Sequence, residues 1–362
     1  MVSSGAVSRS FHQHGLTFTA TPNNQQTTMR RVLVAPAPLR EIAHVYAPIL
    51  EGAGYTIEYP PRDDFMTEVQ MSEQELLTQL PGCLASLAGS EPYTRAVIAK
   101  AAAAGLKVIA RAGVGYDAVD LQAATDHGVA VCFAPGTNQE AVAEHAFMLM
   151  LALVRNLKGQ DAAIRKGEWP RRAVGFVRGT TLGIAGLGRI GKAMVTRANA
   201  FGFNVLATEI APDMAFCTAN KVTLVPIEEL LKRSDIVTLH VPKTPLTKYM
   251  IRAETLNLMK PTAFLINTSR GGVVHEGDLC EALKSNRIAG AALDVFEAEP
   301  PGTNPLFALD NILLTAHTAG VDRKSREDMA RLPAQAIVKL LAGEWPADWV
   351  VNQVVKEAFF AR

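Results

Sequence analysis

A glycine-rich turn in the middle of the chain, Gly186-Leu187-Gly188-Arg189-Ile190-Gly191, limits the possible folds more than any other feature. Glycines also cluster by chance, so the flanks must decide what such a turn means. Residues 182–185 lead in as an apolar strand. Residues 192–201, free of proline and alternating small with apolar side chains, lead out as a helix. In that setting the three glycines have separate tasks: a tight turn, close approach of backbone to a pyrophosphate, and close packing of helix on strand. The helix N-terminus adds amides and a partial positive charge. Eighteen residues past Gly191, at the end of a second strand over 204–208, stands Glu209, whose carboxylate can accept both ribose hydroxyls of an adenosine. It would repel a 2′-phosphate, and Ile210, Ala211 and Pro212 offer no cation to hold one. The turn therefore predicts NAD rather than NADP, with Asp213 as the fallback acceptor if the strand runs longer.

The position of the turn implies that a whole unit precedes it. Short β-branched runs over 32–35, 55–59, 83–87, 107–110 and 129–133 alternate with helical stretches, the pattern of a parallel sheet covered on both faces. A second series runs over 181–185, 204–208, 236–240, 263–267, 290–294 and 312–315, six strands and so a complete dinucleotide fold. The fold class is α/β, with two parallel-sheet domains, as 362 residues suggest. Between the series lies 136–156, where Thr137 or Asn138 starts a helix whose later part, 146–154, is apolar on every face: a core helix or a subunit contact. After His317 only a helix over 323–342 and a short tail remain, with no room for a regulatory domain.

Lysine plus arginine number 36 against 35 acids, so no global field draws the chain to nucleic acid or an anionic membrane. A small-molecule partner fits. The longest apolar stretch is far short of the roughly 20 residues that span a bilayer. The four cysteines have neither metal-ligand nor redox-pair spacing, which points to a reducing, cytoplasmic compartment and to no metal. Residues 1–28 are polar and acid-free with no apolar core, which suggests a disordered extension rather than a secretory signal; a transit peptide or a start at Met29 are the other readings.

A proton-transferring dehydrogenase wants a histidine at the carboxyl end of a strand. Of eight histidines, His317 stands there, before the small Ala319-Gly320, and His240 is its competitor. Arg270 leaves the apolar run 264–269 for Gly271-Gly272; its guanidinium fork suits a substrate carboxylate. Glu299, with Glu297 as rival, lies where it can bond one imidazole nitrogen of His317 and favour the imidazolium, and Asp294 could accept from the nicotinamide amide.

These residues, with Arg111 to Asp117, Glu144-His145, His240-Val241-Pro242, Asn267 to Gly272 and Ala292 to Phe296, resemble in their joint order the D-isomer-specific 2-hydroxyacid dehydrogenase family, in its phosphoglycerate dehydrogenase-like branch. The resemblance covers nearly everything from Arg31 onward. It implies a flavodoxin-like substrate domain, 29–133 and 318–362, and a Rossmann NAD-binding domain, 134–317, facing each other across a cleft, and a homodimer joined through the NAD-binding domain. It also implies a catalytic set of Arg270, Glu299 (the glutamate directly before proline) and His317. Cofactor contacts carried over are Gly186, Gly188, Arg189, Ile190, Gly191, Glu209, Val241, Pro242, Thr268, Ser269, Arg270, Asp294, His317 and Gly320. Substrate contacts are Gly89, Arg111, Val114, Gly115 and Arg270.

The implied reaction is hydride transfer between nicotinamide and substrate C2, with His317 as acid and base. The loop Leu87-Ala88-Gly89-Ser90-Glu91 lacks the basic residues that phosphoglycerate dehydrogenases tend to carry there. 3-Phosphoglycerate thus stands beside hydroxypyruvate, glyoxylate and larger keto acids. A rival class is an NAD-sensing, protein-binding module resembling the C-terminal binding proteins. An L-specific dehydrogenase is disfavoured because those enzymes usually open with the glycine turn.

Overall fold

In a computed structural model of the chain, which describes residues 30–61 and 70–361, two parallel sheets account for every named strand. The expected extension 1–28 lies outside the described residues. The first sheet contains β1 (Arg31–Val34), β2 (Thr56–Glu58), β3 (Ala85–Ala88), β4 (Val108–Arg111) and β5 (Ala130–Cys132), in the order β2-β1-β3-β4-β5. That is the flavodoxin-like arrangement. The second contains β6 (Thr181–Ala185), β7 (Asn204–Thr208), β8 (Thr223–Leu224), β9 (Ile236–Leu239), β10 (Phe264–Asn267), β11 (Gly290–Leu293) and β12 (Ile312–Leu314), ordered β12-β11-β10-β9-β6-β7-β8. The order reverses between β6 and β9, and in open α/β sheets ligands gather outside the carboxyl ends of strands at such a switch point.

One correction concerns the count. The second sheet has seven strands, not six, because β8 is a two-residue edge strand paired to β7, too short to leave a periodic trace. The other strands match the sequence reading to within a residue or two.

Burial explains why these runs are strands. β3, β4, β9 and β11 are buried at every residue, as strands covered on both faces must be, and all but Ser86, Arg111 and Thr238 among their residues are apolar. The connecting helices start at polar caps: Thr94, Asp120 and Asp322 each accept a hydrogen bond from a backbone N–H in the first turn.

The linking helix Gln139–Val154 starts at Asn138, but neither expected cap side chain does the capping; Thr137 bonds back to the Ala134 carbonyl. This helix packs with the second sheet, and its apolar surround is not wholly buried, since Met148 is 51 % exposed. The chain then returns. Helix Arg323–Leu341 puts Ala330, Ala334, Ile337 and Leu340 into one core with Val32, Leu87 and Ala110 of the first sheet.

The tail beyond that helix is structural as well. Asn352 accepts from the Val131 N–H at 2.9 Å and donates to the Val129 carbonyl at 2.9 Å, fastening the C-terminus to β5. Asn352→Ala strands two buried backbone groups, and a loss of about 1–3 kcal/mol in the urea midpoint-derived stability is expected.

Candidate active site

Each glycine of the mid-chain turn meets a different constraint. Gly186 is left-handed at φ 94°, and a methyl there would come within 2.6 Å of the His240 carbonyl oxygen. At Gly191 a methyl would overlap the Gly186 carbonyl, so helix Arg189–Ala200 can sit against its strand only without a side chain. Gly188, the helix N-cap, is exposed and looks onto open space. The free helix start, exposed Arg189 and partly exposed Ile190 line that space.

Glu209, just past β7, turns back onto the same turn. Its Oε2 accepts from the Leu187 N–H at 2.7 Å and its Oε1 from the Ile210 and Ala211 N–H groups. Val241 packs beside Gly186, and Pro242 is exposed next to it. Thr268 and Ser269 are buried beyond β10, and the Thr268 hydroxyl has no hydrogen-bond partner among the described residues. A backbone cradle open at Gly188 together with an orphaned buried hydroxyl fits a dinucleotide laid across the β6–β9 switch point.

Arg270, Glu299 and His317 come from three different strand ends. The Arg270 loop is set by Asn267, which accepts from Ser269 and donates to the Arg270 carbonyl. Gly271 lies so close to Phe296 that a methyl would overlap the Phe296 carbonyl, which brings the Arg270 loop onto the segment carrying Glu299. Glu299 Oε1 accepts from the Phe296 N–H at 2.9 Å, and Oε2 accepts from His317 Nδ1 at 2.7 Å. A carboxylate can only accept, so the proton of that contact sits on Nδ1. Burial acts to raise the Glu299 carboxyl, but the His317 contact, the Phe296 N–H and the charge of Arg270 outweigh it and hold the group below the usual carboxylate range. The rival Glu297 is engaged elsewhere, by the Tyr249 hydroxyl and the Glu276 N–H. The competing His240 is neutral: burial pushes its pKa down to about 3.

The backbone of His317 is left-handed, φ 53°, a conformation that non-glycine residues hold only when their surroundings impose it. Asp294 imposes it. Its fully buried carboxylate accepts from the Thr315 hydroxyl at 2.6 Å and from the Thr318 and Ala319 N–H groups at 2.9 Å each, while its carbonyl accepts from the His317 N–H. The Thr315 hydroxyl, donating to Asp294, is left to accept from His145 Nε2 at 3.0 Å. Asp294, expected to meet the nicotinamide amide, is thus turned to the histidine loop. Gly320 closes the loop against Asn138, whose amide a methyl at 320 would push aside.

Two substrate residues also differ from expectation. Arg111 is buried beneath the 113–117 loop, with Nε on the Gly115 carbonyl at 2.9 Å and Nη1 on the Ala88 carbonyl. The Gly89 N–H is bonded to the carboxylate of Glu91 at 2.6 Å. Val114 and Gly115 are partly exposed, with Arg270 Nη2 against Gly115. The sequence reading missed Asp117, which accepts from Arg270 Nε at 2.8 Å.

Comparison with known proteins gives this geometry its place. Residues 147–319 match the model described as D-isomer specific 2-hydroxyacid dehydrogenase, NAD binding domain. A glyoxylate reductase of Korarchaeum cryptofilum is 42 % identical over 262 residues, 70 % of this chain and 79 % of that protein.

The chain belongs to the D-isomer-specific 2-hydroxyacid dehydrogenase family.

It is accordingly an NAD-binding oxidoreductase. A D-3-phosphoglycerate dehydrogenase of Methanocaldococcus jannaschii is 42 % identical over 287 residues, and there the chain spans 78 % of its own length but only 54 % of the relative's. The solved D-lactate dehydrogenase of Aquifex aeolicus, complexed with NAD and lactic acid, superposes with TM-score 0.78 at 27 % identity, covering 89 % of this chain and 99 % of that one.

The His317–Glu299 contact carries a pH dependence. The folded pKa of Glu299 lies below the unfolded value of about 4.3, so the contact stabilises fully above that pH and its contribution is lost as pH falls through the depressed folded pKa. Urea midpoints of wild type and Glu299→Gln should therefore differ at neutral pH and converge in acid below that value.

Proposed function

We propose that the chain is a 2-keto acid reductase working on small, unphosphorylated acids of the glyoxylate or hydroxypyruvate kind. The observation that carries the reading is the His317 ring, held by Glu299 through Nδ1 at 2.7 Å with its Nε2 edge on the opposite, half-exposed side. A histidine so held is a proton donor in reduction and an acceptor in oxidation. NAD, when bound, exchanges a hydride with substrate C2.

Arg270 polarises the substrate carbonyl and, with the backbone around Val114 and Gly115, orients the carboxylate. Gly186, Gly188, Arg189, Ile190 and Gly191 hold the pyrophosphate, and Glu209 holds the ribose. Val241, Pro242, Thr268, Ser269 and the turn from His317 to Gly320 line the nicotinamide half. The substrate domain is 29–133 with 318–362, and the NAD-binding domain is 134–317. Against a phosphorylated substrate stands the 88–91 loop: its Gly89 amide is taken by Glu91, and Arg111 turns its Nε and Nη1 to backbone carbonyls.

We also propose a homodimer in a reducing cytoplasm. Helix Leu157–Arg165 buries no residue, and Ile164, Trp169 and Phe176 stand exposed on this arm, an apolar display that suits a second copy. The four cysteines are free and buried. No helix among the described residues is long and apolar enough to cross a membrane.

Nicotinamide absorbance, followed with NADH and NADPH against a panel of 2-keto acids, tests the reaction; preference for NADPH would overturn the role of Glu209. His317→Ala should lower turnover about 10²–10⁴-fold while NADH still binds, and retained turnover would remove His317 from the mechanism. Light scattering should find a dimer in the wild type and a monomer when Ile164 and Trp169 are both changed to glutamate.

A further inference from the structure

Arg270 is gripped from the opposite sheet. Its Nε donates to Asp117 Oδ2 at 2.8 Å and its Nη1 to the Ser269 carbonyl at 2.7 Å. The third nitrogen, Nη2, lies against Gly115 so closely that a methyl there would overlap it. Asp117 belongs to the loop after β4, and Arg270 to the loop after β10. Theirs is an ion pair between the two units, joining residues 153 apart in sequence.

Two guanidinium groups converge on the 113–117 loop. Arg111 reaches it from beneath, with Nε on the Gly115 carbonyl, and Arg270 covers its other side. Their mutual repulsion is felt at Arg111, whose pKa is lowered chiefly by burial and also by Arg270, while Glu91, Tyr93 and Asp117 act in the opposite direction. Asp117 is thus the acid that meets Arg270 directly while easing the second cation below.

We propose that Asp117 is a positioning residue for substrate recognition: by holding the Nε edge of Arg270, it aims Nη2 at the Val114–Gly115 backbone and so completes a carboxylate-binding site built from both sheets. The proposal rests on the reading of the chain as a 2-keto acid reductase. Asp117 is 52 % exposed at its side chain and Arg270 32 %, and pairs so open to solvent add little to stability. Orientation is what such a pair can supply. A guanidinium on four rotatable bonds has many rotamers, and fixing Nε and Nη1 to two acceptors leaves one. Asp117 meets the Nε edge and not Nη2, so a substrate carboxylate can bind without displacing it.

The test uses the full chain as Asp117→Ala, Asp117→Asn and Asp117→Glu. Measured for each are the KM and kcat for the keto acid that wild type reduces best, the dissociation constant of oxamate, a dead-end keto acid mimic, on the NADH-bound protein, NADH affinity and melting temperature. For Asp117→Ala, KM and the oxamate dissociation constant should rise on the order of tenfold, with kcat falling less and NADH affinity and melting unchanged. Asp117→Asn, whose amide oxygen can still accept from Nε, should recover part of the loss. Unchanged KM and oxamate affinity in Asp117→Ala would remove the role, and tighter oxamate binding would show that Asp117 competes with substrate. Loss of NADH binding or of melting temperature would make the residue structural and overturn the proposal. If wild type neither reduces a keto acid nor binds oxamate, the reductase reading itself falls and takes this role with it.

Discussion

One buried carboxylate organises the edge of the second sheet that carries His317. Asp294 is fully buried at the end of β11, and charge removed from water is tolerated only when several donors meet it. Those donors are the Thr315 hydroxyl and the Thr318 and Ala319 amides, all from the turn beyond β12. Satisfying the carboxylate folds that turn, and the folded turn puts His317 into a left-handed backbone it would not adopt unaided. His145 on the linking helix joins the same network through Thr315, so the helix between the two sheets is tied to the histidine loop.

The remaining geometry follows from close backbone approach. Gly186, Gly191 and Gly271 each occupy a place where even a methyl would collide with a neighbouring carbonyl. Gly186 lets the mid-chain turn approach the end of β9, and Gly191 lets a helix press onto its strand. The third joins the Arg270 loop to the Glu299 segment. Preorganisation of this kind holds donors in place before a substrate arrives, which is how a site can favour developing charge without reorganising.

Much of this was legible in the sequence because its causes are local. The glycine turn, the apolar strands buried on both faces and the strand-end positions of Arg270 and His317 all leave a mark within a few residues. β8 was invisible because two residues carry no period. Helix Leu157–Arg165 was missed for another reason: it is only nine residues long and carries Gly159 inside it, which weakens its helical trace. Choosing Glu299 over Glu297 needed the family resemblance, and the structure supplies the physical reason, since Glu297 is spent on Tyr249 and Glu276. Arg111 was expected at the substrate only through the family resemblance, and the direction in which it turns depends on the Ala88 and Gly115 carbonyls. Asp117 stood in the quoted loop motif, but its pairing with Arg270 left no local trace because the partner lies in the other sheet.

The contact between Gly320 and Asn138 has a mechanical consequence. Asn138 and Gly320 flank the places where the chain passes from the first sheet to the second and back again. The two passages lie side by side. The halves that carry Asp117 and His317 are therefore joined by two neighbouring passages of chain rather than one. A larger side chain at 320 would have to turn the Asn138 amide aside, at the point where the two passages touch.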